Sequence, residues 1–302
     1  MAKILIGADV GGTKTAVAVA EGDKILGRAD GPGAAVRPGR ALVAATTITE
    51  VVRRALAAAG RLNGDVLLVG AAGAGREPER EELRKALRGE NLATSVVVTT
   101  DIEIALAAAF SDGPGIVVSA GTGSVAVGRD QAGKQHRIGG YGWQMGDEGS
   151  GYAIGRAALG AVSRAVDARS PKTALSERVL GATRSSDFDD LVRWAATASP
   201  AEVAALAPHV LAVAAEGDQL AQGITDYAAR ELSQLAICLL PKMKLTPPVR
   251  VAVTGGLLAQ GQPLRKTLLA KLGEEPAFQT TDAPVDAVAG ALRLATSAAN
   301  SA

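Results

Sequence analysis

The sequence predicts an α/β protein built from two units, and three observations indicate this fold class. The chain has 302 residues, a length at which one hydrophobic core usually divides into two. Short apolar segments alternate with segments of helical periodicity, which is the pattern of a sheet covered by helices. A strand, a glycine turn and a second strand open the chain and recur near residue 116. We therefore expect one unit over residues 1–112 and another over 113–302, and we leave open whether the last helix packs on the first unit.

Composition and charge exclude several classes of function. The formal net charge is +1 and basic residues are interspersed with acidic ones, so nucleic acid is not expected as a partner. No apolar run approaches the roughly 20 residues that span a bilayer, so no membrane partner is expected either. A single cysteine, Cys238, and two histidines argue against an internal disulfide, a zinc site or an iron–sulfur cluster. The apolar run 4–8 is too short for a signal peptide, and a cytoplasmic location is expected.

Individual elements follow from periodicity and from turn residues. In the first unit we predict strands over 3–8, 15–20, 24–29, 66–69 and 96–99, and helices over 39–59, 78–87 and 102–110. In the second unit we predict strands over 116–119, 125–127 and 249–253, mostly helix between 147 and 243, and a closing helix over 285–296. We place His136 in a hairpin turn, His209 in a helical region and Cys238 in the core of a helix.

The first glycine turn lies in residues 9–15, whose sequence begins with Asp9 and includes Gly11, Gly12, Thr13 and Lys14. It differs from a Walker A loop because Thr13 occupies the lysine position, and because residues 15–20 favour a strand where that loop requires a helix. We interpret it as a β-hairpin whose glycines let backbone amides approach a phosphate, with the Thr13 hydroxyl and the Lys14 ammonium as further donors. An ordinary glycine hairpin without a ligand is the alternative.

Two later turns strengthen the phosphate interpretation. Gly121, Thr122 and Gly123 form a second glycine turn between apolar strands, and Gly255 and Gly256 follow a late strand. Two such turns can hold one nucleotide from opposite sides. With these three turns the chain resembles the actin, hexokinase and Hsp70-like ATPase superfamily.

A longer segment, residues 139–152 (GGYGWQMGDEGSGY), carries a more specific resemblance. Over nearly its full length the chain resembles the N-acetylglucosamine kinases of the BadF/BadG/BcrA/BcrD ATPase family, in which the matching segment lines the sugar site. The resemblance implies a two-lobed actin-like ATPase (ribonuclease H-like) fold with ATP in the cleft between the lobes. It also implies that the sugar contacts Gly140, Tyr141, Gly142 and Asp147, and that ATP contacts Thr13 and Thr122.

Two positions depart from the family's pattern. Tyr141 occupies a position that is usually Trp, which keeps an aromatic wall and adds a hydroxyl group. Ala35 occupies the position of an asparagine that contacts the sugar in similar kinases, so one polar contact is missing or supplied elsewhere. The identity of the sugar therefore depends on these two positions.

Two aspartates are the candidates for chemistry. Asp101 follows the strand 96–99 and starts a helix, so we expect it both to cap that helix and to lie at a ligand-binding edge of the sheet. By resemblance it is the base that accepts the proton of the attacking sugar hydroxyl. Asp9 ends the first strand beside the glycine hairpin, where it suits a water-bridged Mg²⁺ ion. A turn acid is the alternative for Asp9.

The resemblance implies a phosphotransferase with an alcohol acceptor, an N-acetylglucosamine kinase that uses ATP and Mg²⁺, phosphorylates the sugar 6-hydroxyl and forms a homodimer. Glucosamine and N-acetylmuramate kinases are alternatives. From other classes we retain an activator ATPase, disfavoured by the single cysteine, and a sugar-responsive regulator. Glu148 is interpreted as a helix N-terminal acid more readily than as a catalytic group, and Arg76 is either near a ligand or solvated.

Overall fold

The computed structural model describes residues 3–300, all but the first two and the last two residues of the chain. Within it the chain forms two compact units, one made of Met1–Gly113 with Val285–Ala302 and the other of Pro114–Pro284. The closing helix, which we predicted within residues 113–302 while leaving open whether it packs on the first unit, thus belongs to the first unit.

Ten strands lie within residues 3–300: β1 (Ile4–Val10), β2 (Lys14–Glu21), β3 (Lys24–Pro32), β4 (Gly64–Ala71), β5 (Ala93–Thr99), β6 (Gly115–Ala120), β7 (Ser124–Arg129), β8 (Gln135–Gly139), β9 (Val249–Thr254) and β10 (Phe278–Thr280). They form two five-stranded sheets, ordered β3-β2-β1-β4-β5 and β10-β9-β6-β7-β8. In each sheet the first three strands in sequence are antiparallel and the last two are parallel to the first. The sheets therefore share one topology, and the predicted α/β class is confirmed.

Twelve α-helices connect these strands: α1 (Ala41–Ala58), α2 (Glu77–Arg88), α3 (Asp101–Phe110), α4 (Gly151–Val166), α5 (Leu175–Thr183), α6 (Phe188–Thr197), α7 (Pro200–Ala204), α8 (Ala207–Ala215), α9 (Gln219–Ile237), α10 (Leu240–Met243), α11 (Pro263–Gly273) and α12 (Ala287–Asn300), all within the described residues. A 3₁₀ turn, Gly256–Leu258, follows β9. None of the helices in residues 3–300 has both the length and the hydropathy required to cross a membrane.

In the first unit the sheet is covered on both faces, as strands buried on both sides require. One core joins the sheet to α1 and α2 and includes Ile48 and Leu83, while the other joins it to α3 and α12 and includes Ile104 and Ala291. This arrangement fixes β1 at the centre of the sheet. Its last residues, including Asp9, therefore occupy a position determined by both cores.

The second unit has one continuous core beneath its sheet, formed with α4, α8, α9 and α11. Two strands there were not predicted. His136 lies in β8 and not in a turn, and β10 has only three residues. Cys238 is exposed at the C-terminus of α9, so the prediction that it packs in a helix core is wrong.

Candidate active site

The glycine hairpin joins β1 to β2, as predicted, because residues 14–21 form a strand. The amide of Gly11 donates to the carbonyl of Lys14 at 2.9 Å and closes the turn. Residues 33–34 lie directly on it: Ala34 N donates to Gly11 O at 3.1 Å, and a Cβ on Gly33 would lie 2.2 Å from Gly12 O. Glycine at position 33 is thus required by the close approach of two backbone segments.

Lys14, predicted to contact phosphate, forms an ion pair with Asp30 at 3.0 Å, and both side chains are mostly exposed. An exposed pair of this kind contributes only about 0–1 kcal/mol. The pair therefore keeps the ammonium group near the hairpin. Breaking the pair so that Lys14 can contact an anionic ligand costs little free energy.

Three carboxylates of the first unit interact electrostatically beside this hairpin. Burial, followed by the charges of Asp101 and Asp286, raises the pKa of Asp9 to about 6, and the charge of Lys14 opposes this increase. Asp9 is near the end of β1, Asp101 is the first residue of α3, and Asp286 immediately precedes α12. Asp286 was missed by sequence reasoning, because 277 positions separate it from Asp9 in the numbering and only the docking of α12 brings the two together.

The N-cap of α3 is Thr100, and not Asp101 as predicted. The Thr100 hydroxyl accepts from the amide of Glu103 at 3.2 Å, and the Glu103 carboxylate accepts from the amide of Thr100 at 2.9 Å, which completes a capping box. The capping role predicted for Asp101 is therefore filled by Thr100 and Glu103.

The chemistry of these carboxylates suits a magnesium ion held mainly by other ligands. Within residues 3–300 no group of three or more His, Cys, Asp or Glu side chains has the geometry of a metal site. Magnesium in kinases typically uses one or two carboxylates, several waters and the substrate phosphates. Asp9, whose pKa is raised mainly by burial and further by the charges of Asp101 and Asp286, fits the role of such a carboxylate ligand.

The second glycine turn, between β6 and β7, is attached to the start of α4. Gly121 N donates to Gly123 O at 2.9 Å, Gly151 N donates to Gly121 O at 2.8 Å, and Tyr152 N donates to Thr122 O at 3.2 Å. The carbonyls of the turn therefore face α4. This leaves a rigid turn whose position is set by the segment 139–152.

Asp147 lies within that segment and is buried, with a positive φ of 63°. Its Oδ1 accepts from the amide of Ser124 at 3.3 Å. Burial raises the pKa of Asp147, and the hydrogen bonds from the amides of Ser124 and Gly142 oppose that increase. Asp147 thus connects the segment predicted to bind sugar to the turn predicted to bind phosphate.

The other predicted sugar-contacting residues are more exposed. Tyr141 has 62% of its surface accessible, and it is flanked by Gly140 and Gly142, whose φ angles of 70° and 94° favour glycine. Sequence reasoning missed Arg137, whose guanidinium donates to the carbonyls of Gly139 and Gly140. These bonds hold the start of the segment against β8.

An aromatic pair and one acidic residue complete the segment. Trp143 packs against Tyr152 with ring centroids 5.1 Å apart, a typical spacing for a tilted aromatic pair. Glu148 precedes Ser150, the N-cap of α4, and its carbonyl accepts from the Ser124 hydroxyl at 2.7 Å. Since α4 carries no acid in its first turn, the interpretation of Glu148 as a helix N-terminal acid is wrong.

Gly255 and Gly256 follow β9 and differ in their surroundings. A Cβ on Gly255 would lie 2.3 Å from the carbonyl of Ala120, and its φ is 98°, whereas nothing lies within 4 Å of a Cβ on Gly256. Beyond them a cavity of about 1170 Å³ opens between the residues after the 3₁₀ turn and the helices α8, α9 and α11. Its polar lining includes Gln222, Asp226 and Gln260, and its size is that of a site for a nucleoside or a similar small molecule.

Comparison with known proteins places this site in context. Residues 6–295 match the BadF/BadG/BcrA/BcrD ATPase family. The chain is 31% identical, over 235 residues, to the N-acetylmuramic acid/N-acetylglucosamine kinase of Clostridium acetobutylicum, covering 76% of this chain and 77% of that one. It is 29% identical, over 313 residues, to the N-acetyl-D-glucosamine kinase of Dictyostelium discoideum, covering 97% and 98%.

A solved structure has the same fold. It is that of a candidate N-acetylglucosamine kinase from Chromobacterium violaceum, with a TM-score of 0.82, 28% identity and coverage of 97% of this chain and 99% of that one. The family resemblance drawn from residues 139–152 and the glycine turns is confirmed, and so is the actin-like fold class.

Proposed function

Because the chain belongs to the BadF/BadG/BcrA/BcrD ATPase family, we propose that it is an ATP-dependent amino-sugar kinase, a phosphotransferase with an alcohol group as acceptor. The observation that carries the proposal is the placement of Asp9 and Asp101 beside the glycine hairpin, where their charges interact. The kinase names of its relatives support the same reaction class. N-acetylglucosamine is the proposed substrate and its 6-hydroxyl the proposed acceptor, with glucosamine and N-acetylmuramate as alternatives.

Asp101 is the proposed catalytic base. It accepts the proton of the sugar hydroxyl as that oxygen bonds to the γ-phosphorus and the bond to the β-phosphate oxygen breaks, releasing ADP. Such a base contributes about 10²–10⁴-fold, and most of the remaining catalysis comes from alignment and neutralisation of phosphate charge. Asp101 suits this role because it is the first residue of α3 and its charge interacts with that of Asp9 at the glycine hairpin.

The phosphates are assigned to the two glycine turns. Gly11, Gly12, Thr13 and Lys14 supply backbone amides, a hydroxyl and an ammonium group. Gly121, Thr122 and Gly123 form the second turn, and Gly255 and Gly256 border the adenosine, for which the large cavity beyond them offers space. A magnesium ion held through Asp9 would neutralise the charge that develops on the phosphates.

The sugar is assigned to residues 140–147 together with Asp101. Gly140, Tyr141 and Gly142 form an exposed aromatic wall on a backbone that only glycines can follow, and Asp147 anchors it. We also propose that the protein is a cytoplasmic homodimer, which sedimentation equilibrium and fractionation of the producing cells would test.

The decisive experiment is a coupled assay of ADP release with Mg²⁺ over a panel of N-acetylglucosamine, glucosamine, N-acetylmuramic acid and glucose. We expect release that depends on an amino sugar, and a phosphorylated product whose ³¹P coupling identifies the 6-position. Reactions without sugar measure idle hydrolysis and serve as the control. Sugar binding by calorimetry without any sugar-dependent ADP release would overturn the kinase assignment and favour a regulator.

A further inference from the structure

A small cavity of about 170 Å³ borders the glycine hairpin in the first unit. One wall is formed by Gly12 and by residues 33–35, and another by Val43, Ala44 and Thr47 on the first turns of α1. Arg37 and Arg40 complete the lining. We refer to it as the Arg37–Arg40 cavity.

The lining of this cavity is strongly cationic. It includes two arginines and no acidic residue, and within residues 3–300 neither guanidinium lies in an ion pair with a carboxylate. Arg53 on the same helix shows the contrast, because it pairs with Glu90 at 2.9 Å. The first turn of α1 also has no acidic residue and no side-chain cap, so no internal anion offsets the positive charge there.

The cavity is held in place by backbone contacts. Ala34 N donates to Gly11 O, and Val36 N donates to Ala72 O at 2.8 Å. These bonds fix the segment 33–36 between the hairpin and β4, so the Arg37–Arg40 cavity is attached to the proposed phosphate site. Ala35, in its lining, takes the position where similar kinases place an asparagine against the sugar. Its methyl group leaves space and offers no hydrogen bond, so a substituent of the sugar can enter the cavity.

We propose that the Arg37–Arg40 cavity receives a carboxylate borne by the sugar substrate, which makes Arg37 and Arg40 determinants of specificity for acidic amino sugars. Two guanidinium groups offer the paired N–H donors that match a carboxylate. The lactyl ether of N-acetylmuramic acid presents such a group next to a methyl, and Val43 and Ala44 supply an apolar wall for that methyl. The volume is several times the roughly 30 Å³ occupied by one water, enough for this substituent. The proposal rests on the proposed kinase function.

An anion in this cavity has two possible sources, the sugar's carboxylate or a phosphate of the nucleotide. Removing the arginines distinguishes the two sources, because KM for the sugar and KM for ATP respond differently. If the arginines bind the sugar, their loss raises KM for the acidic sugar; if they bind nucleotide, it raises KM for ATP with any sugar.

The test compares Arg37→Ala/Arg40→Ala with Arg28→Ala/Arg88→Ala, a control that removes two exposed arginines of the same unit outside the cavity. For each, kcat/KM is measured for N-acetylmuramic acid and N-acetylglucosamine, with KM for ATP measured in parallel. We expect the ratio of kcat/KM for N-acetylmuramic acid to kcat/KM for N-acetylglucosamine to fall about tenfold or more in the cavity variant, because hydrogen bonds to a charged group are lost. In the control this ratio should stay at the wild-type value. Arg37→Lys/Arg40→Lys keeps the charge without the paired donors, and should lie between the two.

Several outcomes would overturn the inference. The first is that the wild-type chain does not bind the acidic sugar. The second is that the acidic-to-neutral ratio of kcat/KM falls equally in the cavity variant and in the Arg28→Ala/Arg88→Ala control. The third is that the cavity variant raises only KM for ATP. Calorimetric binding of both sugars without nucleotide separates this inference from the kinase assignment. Arginine-dependent binding of the acidic sugar without any phosphorylation would support the cavity assignment and refute the kinase, whereas phosphorylation that does not depend on the arginines would do the reverse.

Discussion

Gly123 and the carboxylate of Asp147 approach so closely that no side chain fits between them. A Cβ on Gly123 would lie 2.8 Å from Oδ2 of Asp147, while Oδ1 of the same carboxylate accepts from the amide of Ser124. The turn assigned to phosphate and the segment assigned to sugar are thus packed as one structure, and a change in one must displace the other.

We therefore expect Gly123→Ala to move Asp147 and disturb the sugar segment. Overpacking of this kind costs about 1–3 kcal/mol of unfolding free energy, and we expect KM for the sugar to rise about tenfold because its wall is displaced. Urea denaturation and steady-state kinetics measure the two effects. Gly223→Ala, in α9 with nothing within 4 Å of its Cβ, is the matched control. Wild-type kinetics in Gly123→Ala would contradict the coupling between turn and segment.

Gly290 provides a second test, at the crossing of α12 with α3. A Cβ on Gly290 would lie 1.9 Å from the carbonyl of Ile104, so Gly290→Ala must separate the two helices or distort them. We expect a loss of about 1–3 kcal/mol or more in unfolding free energy, together with reduced activity because α3 begins at Asp101.

The control for Gly290→Ala is Gly160→Ala in α4, where the nearest atom to a Cβ is 4.0 Å away on the flexible side chain of Arg164. An open helical glycine gains about 0.5–1 kcal/mol on replacement by alanine, so the two variants should shift the denaturation midpoint in opposite directions. A shift in the same direction would argue against a tight helix crossing.

The fold was predictable where local chemistry determines it. The β-branched and small residues of 15–20 favour a strand, which is why the first glycine turn is a hairpin and not a Walker loop. The same reasoning identified the second turn at 121–123. These elements are specified by residues near one another in sequence, so a single sequence carries enough information to place them.

Features that depend on distant residues were not predictable. β8 contains Gln135, His136 and Arg137, whose polar side chains suggest a turn. It nevertheless pairs with residues 125–129 of β7, and His136 Nε2 lies 2.8 Å from Oδ2 of Asp130. Cys238 lies in an apolar run that suggests burial, yet α9 ends there and leaves it exposed. For the site, Asp286 joins Asp9 and Asp101 only because α12 packs on the first unit.

The raised pKa of Asp9 predicts how stability depends on pH. The folded-state pKa is about 6, against a reference of 3.8, so the folded protein binds more protons than the unfolded chain between these values. Stability contributed by Asp9 is therefore greatest at low pH and decreases as pH rises from about 4 to 6, by about 3 kcal/mol in all. Asp9→Asn should remove this decrease and raise stability at pH 7 in the apo protein, while abolishing activity.

Urea denaturation between pH 4 and 8 measures this effect. Asp23→Asn, in the exposed β2–β3 turn, is the control and should retain the wild-type pH profile. Saturating ATP and Mg²⁺ should stabilise the wild type above pH 6 more than Asp9→Asn, because ligand binding to the ionised carboxylate adds to folded-state stability. A pH profile of Asp9→Asn that matches the wild type would show that Asp9 is not the source of the effect.

Thr100 and Asp101 are adjacent, and the structure assigns them separate tasks that two substitutions can distinguish. Asp101→Asn keeps the capping box and the shape of the side chain but cannot accept the proton, so we expect kcat to fall about 10²–10⁴-fold with sugar and ATP binding retained. Thr100→Ala removes the cap and should cost about 1 kcal/mol of unfolding free energy, with a much smaller effect on kcat. Calorimetry and single-turnover kinetics measure both. A near-normal turnover rate in Asp101→Asn would show that Asp101 is not the base. If Thr100→Ala lost as much activity as Asp101→Asn, the activity would depend on the helix terminus as a whole, and proton transfer could not be assigned to Asp101.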